Sequence, residues 1–338
     1  MTPSLRLCAR LLATCLVFCL PRVCRAADAQ PAAGQGLTPA QTAEKGVAIQ
    51  GSFGGVGAAL KDGDGCVQIS GVTPESPAAR AGLLPGSTIT AINDVSTERM
   101  KAQDAVKLVR GPEGTKVTLV VKSPAGEVRR VELTREKIVL GRPEVSLCAP
   151  AIGLMRLTVF NDETAAAVQR ALAELQAKGA KALVLDLRGA GGGTAGALQQ
   201  VAGVFLPGGS ALWLFEKQNG ERTLVKAPAG PSPVVMPLAV LVDRDTQAAE
   251  LLAAAIKRNR RGPVIGHRTS GQASPKTMVR NPDGSSRLVP VGTYLLSPGE
   301  PISGVGVAPD RELPAGAAPA EFVRAAVEAL APAPPNQP

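Results

Sequence analysis

The stretch from Pro237 to Lys276, PLAVLVDRDTQAAELLAAAIKRNRRGPVIGHRTSGQASPK, constrains the fold more than any other. An apolar run, Leu238 to Val242, reads as a strand. A polar corner (Asp243 to Gln247) follows, then an alanine-rich helix expected over residues 248–258, a second strand over 263–266 and a glycine-containing loop. In an open α/β sheet, the corner where a strand gives way to a helix leaves backbone N–H groups unpaired and collects ligands and catalytic side chains. A nucleophile would sit there.

At the other end of the chain, Arg6 and Arg10 precede the apolar run LLATCLVFCL, and small residues with an Ala27-Asp28-Ala29 pattern follow. These are the parts of a secretory signal ending near Ala29, and the run is too short to span a bilayer. Export to an oxidising compartment, the bacterial periplasm, is expected. Lipid attachment at Cys24 is disfavoured by Val23, which is not a small residue. Four of the six cysteines fall in the signal, leaving Cys66 and Cys148, which either pair or stay as separate buried thiols; pairing is the expectation tested below. With the single His267 they make no metal site, and no cofactor is expected. Loss of four basic residues and Asp28 with the signal lowers the formal charge from +9 to +6. With 2% aromatics, this excess argues against nucleic acid.

From Gly51 the chain alternates expected strands (67–72, 88–93, 116–121, 128–133) with short helices at 77–81 and 102–109. Gly54-Gly55-Val56-Gly57 followed by SPAARAGLLPG strongly resembles a PDZ domain of the processing-peptidase type. The resemblance implies that a peptide adds as a strand, at an edge expected after Cys66, while the glycine loop 54–57 turns its amides to the terminal carboxylate. It also implies an apolar pocket that includes Val56, Ala58, Leu60, Val106 and Leu108. Val106 and Leu108 have a plainer role open to them, as core packing.

Beyond Arg142, expected strands at 152–158 and 182–187 flank a helix at 163–177. Asp186-Leu187-Arg188-Gly189 and its glycine run, the corner at 246–250, the loop at 271–276 and Ile302, Gly304, Gly306, Pro309 and Asp310 together resemble the C-terminal processing peptidases, or tail-specific proteases. The likeness covers about residues 37–330. In that family the corner reads T-A-S-A-A-E or S-A-S-A-S-E with a serine nucleophile, and a lysine 25 residues on is its base. Here those positions are Gln247 and Gln272, neither nucleophile nor base. The glycine turn (Gly189, Gly191, Gly192, Gly193, with Ala190 for the family's Asn) would face a developing oxyanion. Thr246 and Lys276 are fallback catalytic groups, Lys276 being about 13 Å along an extended strand from Gln272. Arg258 stands where some relatives carry a supporting aspartate. A rival pattern, Gly191, Gly193 and Gly196 with Glu216 as a ribose acid, is the weaker match.

The fold class expected is therefore α/β and α+β: a PDZ domain followed by a processing-peptidase (ClpP/crotonase-like) α/β domain. Residues 1–29 are read as signal, 30–46 as a linker with at most one helical turn, 47–138 as the PDZ domain, 139–330 as the peptidase-like domain and 331–338 as a disordered tail. The expected function is a catalytically inactive peptide-binding or partner-regulating protein. Its expected partners are protein C-termini or unfolded peptides, an envelope protein or an active protease, with no nucleic acid and no stable membrane span. A working serine-type or threonine-type endopeptidase with a rearranged site is the alternative.

Overall fold

The computed structural model describes residues 35–230, 234–297 and 299–331. The expected signal, and residues 332–338 of the expected tail, lie outside them. The chain enters not by a linker but by a strand and a helix. Gln35–Leu37 pairs antiparallel with Ser286–Pro290 of the second unit, and helix α1, Pro39–Gln50, follows. Thr38 and Gln41 cap each other reciprocally, Pro39 fits the first helical turn, and the buried Thr42 hydroxyl bonds that of Ser286 at 2.8 Å. The small polar composition of 30–46 hid this helix, which also runs through the boundary expected at Val47. A helix start is a local signal, whereas the strand that pins it is contributed from about 250 residues away.

The first unit is a sheet in the spatial order 58–62, 67–72, 88–92, 116–122, 128–134. Helix α2 (Pro77–Arg80) and helix α3 (Ala102–Val109) pack on it, over a core that includes Ile69, Ile89, Ile92 and Leu119. Arg135 is buried beneath α3 and donates to the carbonyls of Leu108, Val109 and Lys116. A cation at a helix C-terminus satisfies carbonyls that have no intrahelical partner. Strands Ser52–Gly55 and Glu136–Val139 pair where the unit is entered and left.

The second unit is built on a six-stranded sheet in the order 144–149, 152–156, 182–186, 238–242, 264–266, 311–312, parallel except at its first pair. Every residue of Ala182–Asp186 and Leu238–Val242 is buried, as a strand covered on both faces requires. Alternation divides them: Leu183, Leu185, Val240 and Val242 face the core shared with helices α4 (Thr164–Ala177), α5 (Ala195–Phe205) and α6 (Glu250–Arg258). Val184, Ala239 and Leu241 face helix α7 (Pro319–Leu330) through Phe322, Ala325 and Ala326. Asn281-Pro282-Asp283-Gly284 signals a hairpin between 276–280 and 287–296; the hairpin forms, but its second arm ends at Val291. Ser286–Pro290 pairs with Lys276–Arg280, whereas Gly292–Ser297 crosses to Ala211–Lys217 in another sheet.

That crossing removes the rival dinucleotide pattern. The strand carrying Glu216 is absent from the parallel sheet, and Glu216 instead pairs with Arg222. The cysteine pairing fails as well. Cys66 and Cys148 are both free thiols, Cys66 just before the first-unit strand Val67–Val72 while Cys148 packs against the α7 side of the second. Among the described residues no helix is long and apolar enough to cross a membrane.

Replacing Arg135 with Ala should destabilise the protein by about 2–3 kcal/mol, because buried carbonyls at the end of α3 lose a charged donor. Chemical denaturation of wild type and variant measures it.

Candidate functional site

At the carboxyl ends of the 182–186 and 238–242 strands the second unit opens a cavity of ≈ 610 Å³. Gln247 and Gln272, the positions that the resemblance assigns to nucleophile and base, both line it. Neither side-chain amide has a hydrogen-bond partner among the described residues. Lys276, Ser274 and Thr194 line it too, as do Lys45 and Ile49 from α1. Trp213, Phe215, Leu251, Met278 and Tyr294 give it an apolar wall.

The loop bearing Gln272 is held by a group the sequence alone did not single out. Glu250, in the first turn of α6, is fully buried, and its carboxylate accepts from the Thr269 hydroxyl and the N–H groups of Gly271 and Ala273. Burial pushes this carboxyl above the ordinary carboxylate value, and donors from Thr269, Ala273, Gly271 and Gln272 oppose the shift. The segment 302–307 clamps the loop from the other side: Gly304 N–H donates to the Gly271 carbonyl at 2.8 Å and Val307 N–H to the Thr269 hydroxyl. A Cβ at Gly271 would lie 2.7 Å from backbone atoms of Ile302, Gly304 and Gly306, so only glycine fits that approach. The signal available in the sequence was an acidic residue beginning an otherwise apolar helix, where it also favours the positive end of the helix dipole.

Thr246, the fallback nucleophile, does not reach the cavity. It is fully buried and outside the cavity lining, and its hydroxyl contacts the Leu187 carbonyl and Asp243 Oδ1 while accepting from the Asp243 N–H. A threonine one residue before the cavity-facing position points back into the corner and fastens it to the neighbouring strand.

The expected oxyanion turn is only partly free. Gly189 N–H donates to Asp243 Oδ1 at 3.0 Å, while Gly192 and Gly193 pair in parallel with Val159 and Phe160. Gly193 has φ 153°, and a Cβ there would meet Phe160 at 2.6 Å. Gly191 and Ala248, by contrast, both line the cavity with N–H groups that reach no backbone acceptor among the described residues.

The basic run at the end of α6 is structural. Lys257 binds the Ala308 carbonyl and Asp310, Arg258 the Leu296 carbonyl, and Arg261 the carbonyls of Phe205, Val234 and Met236. His267, edge-on to Phe322, meets the Pro314 carbonyl at 3.0 Å and lies outside the cavity lining.

In the first unit the open edge belongs to Ala58–Asp62, at the end of the sheet, and not to the strand after Cys66, which is paired on both sides. Helix α3 packs beside that edge, and Asp62 Oδ1 accepts from Ala102 N–H at 2.7 Å. Gly54 and Gly55 are strand residues, so the loop proper is Val56 and Gly57, whose N–H groups reach no backbone acceptor. Val56 is a core residue, and Leu108 packs against the core. Val106 is half-buried and outside that core, leaving it to face the groove.

A sheet edge flanked by a helix, joined to a parallel α/β unit with a cavity at its strand ends, is the architecture of a PDZ domain followed by a peptidase-type α/β fold. Residues 68–123 match the PDZ domain and residues 151–313 match peptidase family S41. The chain belongs to that family, the C-terminal processing peptidases. It is 34% identical over 281 residues to the chloroplastic carboxyl-terminal-processing peptidase 2 of Arabidopsis thaliana, covering 78% of this chain and 54% of that one. It is 33% identical over 269 residues to the carboxy-terminal processing protease CtpA of Bacillus subtilis, covering 79% and 58%. The chain thus spans a little over half the length of these relatives. The solved photosystem II D1 C-terminal processing protease is 31% identical, with 86% of this chain and 80% of that one covered and a TM-score of 0.49.

Replacing Glu250 with Ala should cost about 3 kcal/mol or more, since three buried donors lose their acceptor. Thr246→Val should cost about 1–2 kcal/mol and leave ligand binding in the cavity unchanged. Thermal and denaturant unfolding, with limited proteolysis of the 269–273 loop, distinguish the two.

Proposed function

We propose that this protein is an exported, catalytically silent member of peptidase family S41 that binds peptides and acts on a partner in the cell envelope. One observation carries the reading: both positions expected to perform proton transfer and attack are glutamines that face one cavity, and the neighbouring threonine hydroxyl is buried and committed elsewhere. Hydrolysis needs an activated hydroxyl and a group to take its proton, and an amide provides neither. Export is supported by Arg6, Arg10 and the apolar run at 11–20. Peptide binding is supported by the open 58–62 edge and the unpaired amides of Val56 and Gly57, which suit an added strand and its terminal carboxylate.

The main test incubates purified protein with an unfolded substrate, which should be recovered whole. The alternative of an active, rearranged site rests on Ser274, whose unpartnered hydroxyl lines the cavity with Lys276. Cleavage that survives repurification and disappears in Ser274→Ala would establish that alternative.

For the first unit, calorimetry should show tighter binding of apolar peptides with a free carboxyl end than of their amides. Val106→Glu should weaken binding by about tenfold by placing a charge in the groove. Equal affinity in the variant would remove the groove from the argument.

A further inference from the structure

The cavity of the second unit has an electrostatic character that neither hydrolysis nor its absence explains. Among the described residues its lining contains no carboxylate but includes two lysines, Lys45 and Lys276. They come from α1 and from the strand 276–280, about 230 residues apart in sequence, and neither ammonium has a partner among the described residues. Arg280 extends the same side: its guanidinium lies 3.7 Å from where a Cβ would stand at Gly46, next to Lys45. The buried Glu250 has its oxygens taken by donors of the 269–273 loop.

Further donors face the same space. Gly191 and Ala248 present unpaired backbone N–H groups, and Gln247 and Gln272 present side-chain amides. Trp213, 1% exposed, borders the cavity from the core side, and its indole N–H is buried without an acceptor among the described residues. Donors and cations without an acid, set against an apolar wall, are complementary to an anion carried on an apolar body.

We propose that this cavity binds the free C-terminal carboxylate of a peptide, with the last side chain against Trp213, Leu251 and Tyr294. A terminal carboxylate is carried on the backbone itself, so it can meet backbone donors and a lysine while its own side chain covers the wall. An aspartate or glutamate within a peptide would use its side chain for the charge and leave that wall uncovered. The inference rests on the silent, peptide-binding function proposed above. It adds a carboxylate site distinct from the first unit's groove.

Trp213 is the only tryptophan in the chain, so its emission reports on this cavity and not on the tryptophan-free first unit. The full protein is titrated with three acetylated peptides: Ala-Ala-Ser-Val-Ala-Leu with a free carboxyl end, the same peptide amidated, and an amidated version with Glu before the final Leu. The free acid should shift Trp213 emission saturably, and both amides should half-saturate at about tenfold or higher concentration. Lys45→Gln with Lys276→Gln, two exposed positions, should bring the free acid to within about threefold of the amide. Equal potency of free acid and amide, equal potency of the Glu-bearing amide, or binding by calorimetry with no Trp213 response would each overturn the proposal. Mass spectra of the recovered peptides separate the two levels. A cut peptide refutes catalytic silence, whereas an intact peptide with no emission change refutes the carboxylate site alone.

Discussion

The buried carboxylate of Glu250 is the interaction on which the site depends. It belongs to the first turn of α6, so it is placed by the strand 238–242 and its corner, yet every hydrogen bond it accepts from outside the helix comes from the 269–273 loop. It ties the elements that carry Gln247 and Gln272 directly to each other. A charge taken out of water is costly unless its lone pairs are satisfied, so the loop must close around it in one conformation. The same requirement draws in the 302–307 segment, which bonds Thr269 and Gly271 from the far side.

The second constraint is the strict alternation of the buried strands. Residues 182–186 and 238–242 send successive side chains to opposite helical layers, which fixes which strand ends point at the cavity. At those ends Arg188 forms a two-pronged pair with Asp186, lies over the Phe322 ring and reaches the Pro319 carbonyl. The α7 face is thereby closed by a largely buried ion pair while the other face keeps its cavity.

Much of this was legible in the sequence because it is local. The strand 67–72 and helix α3 fall where periodicity and turn residues place them. The 25-residue spacing that puts two glutamines on one cavity was also readable. Features depending on distant partners were not. Helix α1 is stabilised by a strand far along the chain, the edge strand of the first unit depends on which neighbour pairs last, and the direction of the Thr246 hydroxyl depends on the Leu187 carbonyl across the sheet. Lys45 and Trp213 lay outside every motif, and only tertiary packing brings them together.

The way the first unit is attached has a consequence for how such chains are assembled. Gly51 and Leu140 are joined by a backbone hydrogen bond of 2.7 Å, and the strands beginning at Ser52 and ending at Val139 leave that point side by side. Helix α1, before the junction, already lines the cavity of the second unit and is pinned to it through Thr42 and Ser286. Topologically the PDZ unit is therefore a cassette set into a single α/β body, with its two attachment points at neighbouring positions. A short turn from Gly51 to Leu140 could bypass it while leaving both walls of the cavity in place, so gain, loss or exchange of the cassette is open to evolution and to design at a geometric cost of one tight connection.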